Sequence, residues 1–261
     1  MNILDKIIAD KKREVALKKK AIAVEAWTTL PHYNVESRSL KASLLKENST
    51  GIIAEFKRKS PSKGIINDKA DLLDVVPGYD EFAAGISVLT DEKYFGGSNN
   101  DLIEARKITS VPMLRKDFII DEYQLYEARG IGADVILLIA ANLTKQNVKK
   151  LAAKAKDLNL EVLLEIHNEK ELEHICDEVD MVGVNNRNLK TFEVDINTSL
   201  QLFPLIPKNK IAIAESGISN VETILKLKQA GFKGFLIGET FMKEREPAIA
   251  FADFIKQLKA K

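Results

Sequence analysis

Short apolar runs rich in β-branched residues recur along the chain, at residues 52–56, 85–89, 111–114, 135–140, 162–166, 181–184, 211–214 and 235–237. Their starts are spaced by roughly 20–33 residues, the length of a strand, a helix and two loops. The intervening segments change period. Residues 144–157 place Val148, Leu151, Ala152 and Ala155 on one face and lysines on the others. Residues 220–230 repeat this with Val221, Ile224, Leu225 and Leu227. That helix is predicted to start at a Ser219 or Asn220 cap and to stop at Gly231. Near-continuous apolar strands alternating with helices predict a parallel sheet covered on its outer face. Eight such units fit a closed (β/α)8 TIM barrel, an α/β fold, better than an open doubly wound sheet, which is the alternative. A strand followed by G-x-G-x-x-G would favour the open sheet. Gly130-Ile131-Gly132 instead precedes its strand, and reads as a helix stop and turn.

Residues 1–20 are basic and amphipathic, with Ile3, Leu4, Ile7 and Ile8 at helical spacing. Asp5, Asp10 and Glu14 argue against a transit peptide, and no apolar core or small-residue cleavage site suggests secretion. The segment is expected to be an extra helix ahead of the barrel, within a helical extension of about 45 residues. No low-complexity linker or change of composition divides residues 1–261, so one domain is expected.

The chemistry of such a barrel lies where its strands end. The first apolar run leads into Glu55, Lys57 and a Ser60-Pro61-Ser62 turn. Glu55 and Lys57 are two apart, so their side chains share one side of the strand. Lys116 ends the third run, Glu165 the fifth, and Asn185-Asn186-Arg187 the sixth. The seventh ends in Glu215-Ser216-Gly217 and the eighth in Gly238-Glu239-Thr240. Any one of these reads equally well as a loop-capping charge. Together they describe a mouth holding both acids and bases, where Lys–Glu pairing keeps the ammonium protonated and the carboxylate ionised. The seventh and eighth ends add small residues, which leave backbone N–H groups open to a phosphate, although tight turns use glycine too.

Composition removes several classes of partner. The 39 Lys and Arg against 38 Asp and Glu give a net charge of +1, which points to neither nucleic acid nor an anionic membrane. No apolar stretch approaches the roughly 18 residues of a membrane span. The one cysteine, Cys176, excludes an internal disulfide and fits a reducing cytoplasm. It lies in a helix-like segment, 169–177, away from the strand ends, and reads as a small buried hydrophobe. His167 and His174 are seven apart without a third ligand nearby, so no metal is expected. Trp27 and Tyr33 read as packing residues. Oligomeric state is left open by the sequence, and a monomer is compatible with it.

The run Ile53-Ala54-Glu55-Phe56-Lys57-Arg58-Lys59-Ser60-Pro61-Ser62 resembles the signature of the indole-3-glycerol-phosphate synthases of tryptophan biosynthesis. Supporting blocks are 87–98, Leu114-Arg115-Lys116-Asp117-Phe118, Leu164-Glu165, Gly183-Val184-Asn185-Asn186-Arg187-Asn188-Leu189 and Ala214-Glu215-Ser216-Gly217-Ile218. The resemblance covers essentially the whole chain. It implies a carboxy-lyase that needs no cofactor or metal. The implied reaction turns a small sugar phosphate, 1-(o-carboxyphenylamino)-1-deoxyribulose 5-phosphate, into indole-3-glycerol phosphate, carbon dioxide and water. By resemblance, Lys116 is the general acid and Lys57 binds the benzoate carboxylate. Glu165 stabilises charge on the anilino group and assists proton loss. Glu55 and Asn185 orient the lysines and the substrate hydroxyls, and Arg187 supports the cluster. Ser60, Ser216, Gly217 and Gly238 are expected to hold the phosphate, with Glu215 and Glu239 at the same loops. Phe95, Phe118 and Leu189 are expected to form the pocket for the aromatic ring. Glu239 stands where some relatives have Ser, which removes a hydroxyl but leaves the backbone N–H.

Two other readings compete. An isomerase acting on a related phosphoribosyl compound would need an acid–base pair usually built from Cys and Asp, and Cys176 is off the strand ends. A non-catalytic sugar-phosphate-binding protein on the same fold would be favoured by loss of Lys116 or Glu165, and both are present.

Overall fold

The computed structural model describes residues 2–261. Eight parallel strands close into a ring: Ile52–Phe56, Gly85–Leu89, Met113–Lys116, Val135–Ile139, Glu161–Ile166, Met181–Asn185, Ile211–Glu215 and Gly234–Ile237. They follow one another in chain order around the ring. The first strand closes it by pairing with the eighth, Ile53 opposite Leu236. This is the TIM barrel that the alternation of apolar runs and helical segments predicts. A helix, Ile3–Ala21, precedes it, followed by the short helices Val24–Thr28 and Leu40–Leu45.

The helix forecasts hold at their ends. Lys145–Asp157 begins at Thr144, whose side chain accepts from Asn147 N, and Val221–Ala230 begins at Asn220, which accepts from Thr223 N. Gly231 ends the latter in the left-handed region. Two elements differ from expectation. The third strand starts at Met113 rather than at residue 111. Pro112 has no N–H for a ladder, and the Asp80 carboxylate takes the N–H groups of Ser110 (2.7 Å) and Val111 (3.1 Å). The helix-like segment 169–177 is a single 3-10 stretch, Glu169–His174. It leaves Cys176 outside it, half-buried against the outer core.

Side-chain alternation divides the apolar residues into two cores. Ile53, Leu114, Leu137, Leu163, Met181, Ile213 and Leu236 point into the barrel, which Leu40 and Leu44 plug at its base. Ile52, Ala54, Phe56, Val88, Ile136, Leu164, Val182 and Ala214 point outward against the helices. The inward set continues in the same parity to Glu55, Lys116, Glu165, Asn185 and Glu215. The apolar plug and the polar mouth are therefore successive layers of one surface.

Arg115 has the opposite parity and is completely buried between sheet and helices. Its guanidinium donates to Glu127 (2.6 Å), Asp117 (3.1 Å), the Gln124 carbonyl (3.0 Å) and Thr90 (3.1 Å). The N-terminal helix joins the same network. The ammonium of Lys11, 1 % exposed, lies 2.9 Å from Asp91, 3.0 Å from Asp117 and 2.8 Å from Glu14. Lys18 reaches Glu127 at 3.0 Å. Burial opposes ionisation of Asp117, but Arg115 and Lys11 more than reverse this and hold its carboxyl well below the ordinary range.

Removing Lys11 leaves buried carboxylates undercompensated. Lys11→Met is expected to lower unfolding stability by about 3 kcal/mol, the scale for one partner of a buried ionic network. Urea unfolding at pH 7 measures it, and a loss under about 1 kcal/mol would show the network to be dispensable. Asp117 is ionised in the folded chain at a pH where the unfolded chain binds a proton. Its contribution is therefore present above about pH 4 and is lost as the pH falls below that. Asp117→Asn should flatten the acid limb of stability against pH.

Candidate active site

A cavity opens at the C-terminal ends of the strands, and every residue predicted for the site lines it. Glu55 and Lys57, carried inward by strand parity, form an ion pair at 2.7 Å. Ser87 on the neighbouring strand reaches the other Glu55 oxygen at 3.4 Å. Lys116 extends across the mouth, where its ammonium donates to Glu215 (2.6 Å) and to Glu165 (3.1 Å). Asn185 donates from Nδ2 to the remaining Glu165 oxygen at 3.1 Å and accepts from the Arg187 backbone N–H at 3.0 Å.

The charges around Lys116 are not equivalent. Burial alone would lower the Lys116 pKa, but Glu215, Glu165 and Glu55 surround it and hold the ammonium firmly protonated. Burial alone would raise Glu165, and the Lys116 charge together with His167 drives it well below the ordinary carboxylate range. Glu215 goes the other way. Burial raises it, Lys116 only partly offsets this, the Glu165 charge raises it further, and its carboxyl is pushed up to about 7. Pairing with Lys116 thus does not ionise Glu215 as it does Glu165, because one ammonium serves two buried acids.

One wall is apolar. Phe95 and Phe118 lie with ring centroids 6.0 Å apart, tilted by 42°. Leu189 and Phe192 from the loop after the sixth strand face the same cavity, as do Ile3, Leu4 and Ile7 of the N-terminal helix. The opposite wall is small and polar. Ser216 and Gly217 both have left-handed backbones (φ 65° and 75°), with the Ser216 carbonyl accepting from Asn186 Nδ2 at 3.1 Å. A non-glycine residue in this region is uncommon and is characteristic of functional turns. Ser60 sits in a two-stranded hairpin, Lys59–Ser60 with Gly64–Ile65, its hydroxyl 3.4 Å from that of Ser62. Glu239 stands between Lys63 (3.4 Å) and Arg187 (3.6 Å). A Cβ on Gly238 would lie 2.7 Å from a Glu55 oxygen, so this glycine makes room for the Glu55 carboxylate.

Three contributions escaped the sequence reading. Gly183 on the sixth strand lets the Glu215 side chain lie across it, since a Cβ there would come within 2.1 Å of Glu215 Oε1. His167 is 3.2 Å from Glu165, and the alternation that pairs Glu55 with Lys57 is the signal that would have placed it inward. The N-terminal helix supplies cavity wall, which its amphipathic pattern alone does not specify. Arg58 of the signature run lies outside the cavity. It makes paired 2.9 Å bonds to Asp101 and stacks 4.7 Å over the Phe56 ring. His174 contacts the backbone carbonyls of Glu171 and Leu143.

The arrangement holds a charged ammonium, an ionised carboxylate, a carboxyl poised near neutrality, a pair of aromatic rings and a left-handed Ser216-Gly217 turn. A 13C titration of Glu215 should show a midpoint near 7, and Lys116→Met should move it upward because the ammonium holds it down. A midpoint in the ordinary range near 4.3 would overturn this electrostatic picture.

A family model described as indole-3-glycerol phosphate synthase matches residues 4–254. Similar curated proteins carry the same description. One from Bacteroides thetaiotaomicron is 50% identical over 260 residues, covering 98% of this chain and 99% of its own. Another from Chromobacterium violaceum is 43% identical, covering 96% and 97%. Among solved structures, a mutant tryptophan synthase alpha-subunit from Pyrococcus furiosus superposes with a TM-score of 0.61 at 16% identity. It covers 81% of this chain and 98% of that one, a likeness of fold.

Proposed function

The chain belongs to the indole-3-glycerol phosphate synthase family, and from that membership and the geometry of the mouth we infer how it closes the indole ring of its substrate. The reaction converts 1-(o-carboxyphenylamino)-1-deoxyribulose 5-phosphate into indole-3-glycerol phosphate, carbon dioxide and water. The observation that carries the residue assignments is the Lys116 ammonium, held between Glu165 and Glu215 beside the Phe95–Phe118 slot.

In the first step the ring carbon bearing the carboxylate attacks the ribulose carbonyl. That carbon is a weak nucleophile, so the carbonyl oxygen must be protonated as the bond forms. Lys116 is the acid in our reading, fully charged at the start because three carboxylates surround it. Glu215, 2.6 Å away and half-protonated near neutral pH, is placed to return the proton. Loss of carbon dioxide then restores the aromatic ring. Lys57 orients the departing carboxylate. A tight ion pair would stabilise the ground state and slow this step. The 2.7 Å contact with Glu55 draws part of the lysine's charge away from the substrate. In the last step the anilino nitrogen pushes out the hydroxyl formed from the carbonyl, which leaves as water, and the CH2 between that nitrogen and the former carbonyl carbon loses a proton to complete the indole double bond. Glu165, held ionised, is the group that takes this proton.

Ser60, Ser216, Gly217 and Gly238 are assigned to the phosphate, with Arg187 supporting the loop. A remote anchor of this kind orients the reacting end. The partner is thus a small sugar phosphate. No described helix is long and apolar enough to cross a membrane, and a single cysteine fits a reducing cytoplasm. The chain works as one domain in this reading, because the first strand must pair with the eighth to close the ring.

Lys116→Ala is expected to lower kcat by at least about 10²-fold, the usual scale for a general acid, with an unchanged circular dichroism spectrum. Indole fluorescence follows the product, and a near wild-type rate would remove Lys116 from this role. Ser216→Ala should raise KM more than it lowers kcat, since phosphate binding acts on ground and transition states alike. A fall in kcat alone would refute the phosphate assignment. Gly238 is unsuited to this test, because any side chain there also displaces Glu55.

A further inference from the structure

Glu165 and Glu215 share one ammonium, and Lys116 is nearer to Glu215. Yet Glu165 is the one held ionised. Asn185 donates to Glu165 Oε1 while Glu215 Oε1 has no donor, and His167 is placed to add a cation on the same side. It follows Ile166 at the next inward position of the fifth strand. Its Nε2 lies 3.2 Å from Glu165 Oε1, at ion-pair distance though not aligned as a full hydrogen bond. Its Nδ1 lies 3.2 Å from Glu171 Oε2. Glu171 is itself fixed at both oxygens. Oε2 accepts the His167 backbone N–H at 2.7 Å, and Oε1 accepts from Asn168 Nδ2 at 2.7 Å. Neither His167 nor Glu171 lines the cavity.

A neutral imidazole would set a lone pair against one of these carboxylates, whereas imidazolium presents an N–H and a positive charge to each. We propose that His167, as an imidazolium anchored by Glu171, is a positioning residue whose charge, 3.2 Å from Glu165 Oε1, favours the ionised form of Glu165 over that of Glu215. The proposal rests on reading Glu165 as the base of the dehydration step. Burial alone would lower the His167 pKa, but Glu165 and Glu171 reverse this and push it up to about 10. The other charged groups facing this cluster are Lys116 and, across the mouth, Glu215, Glu55 and Lys57. His174, on the 3-10 stretch, contacts only backbone carbonyls there.

The sign follows from the charge. Without the imidazolium, Glu165 holds a proton to higher pH, so the acid limb of kcat against pH moves upward. His167→Gln, which keeps the bulk and a neutral donor, should move that limb by about one unit, a tenfold change in ionisation. Activity would fall at the acid end of the profile and match the wild type at neutral pH and above. Glu171→Gln should move it the same way by less, and serves as the second variant should His167→Gln fold poorly. Glu165→Gln is the reference. If it abolishes turnover while both other variants lose activity equally at every pH with the limb unmoved, His167 only packs and the proposal falls, while the role of Glu165 stands. If Glu165→Gln keeps the wild-type rate, the reading of Glu165 fails and the proposal with it. Limb shifts in both variants, together with loss of turnover in Glu165→Gln, support it.

Discussion

The two-residue alternation of side chains along the barrel strands is the constraint on which the rest depends. The register is locked by closure, Ile53 opposite Leu236 on one side and Gly85 on the other. A slip of one residue would exchange the inward and outward faces of a strand. It would take Ile53 out of the inner plug and Glu55 out of the mouth together. The apolar residues that make the inner core thus also aim the reactive groups. Arg115 illustrates the same rule from the other side. One residue before Lys116, it points outward and requires its own buried partners in Glu127 and Asp117.

Crowding of like charge at the mouth gives each carboxylate a different character. Lys116 lies against Glu165 and Glu215, with Glu55 beyond, in a region from which protein side chains exclude much of the water. Acids of the same type therefore diverge, one firmly ionised and one close to neutrality, as environment rather than residue type dictates. Gly183 is part of this device, because only a residue without Cβ lets Glu215 lie where it meets Lys116. The electrostatics of the site are built by a glycine on one strand as much as by a charge on the next.

The N-terminal helix ties this mouth to the outer layer. It presents Ile3, Leu4 and Ile7 to the cavity, while Lys11, one turn further along, is buried against Asp91 and Asp117. Asp117 adjoins Lys116 in the chain. The apolar roof and the backbone that carries the ammonium are therefore held by the same ionic contacts, and these stiffen the third strand at the point where it ends.

Much of this was legible in the sequence. Eight apolar runs, their spacing and the polar residues at their ends specify a barrel and its mouth, because strand period and chain closure leave few alternatives. The cap at Asn220 was readable for a local reason: its side chain satisfies the N–H of Thr223, three residues on. The start of the third strand was not, since it depends on Asp80, thirty residues earlier in the chain, taking the N–H groups of Ser110 and Val111. Nor were the positions of Lys11, Gly183 and His167, whose importance lies in atoms brought near them from other elements. Residue identities and their periodicity determined which groups reach the mouth. Only tertiary structure decided which carboxylate is charged, because ionisation depends on distances to Lys116, His167 and neighbouring acids that come together when the ring closes.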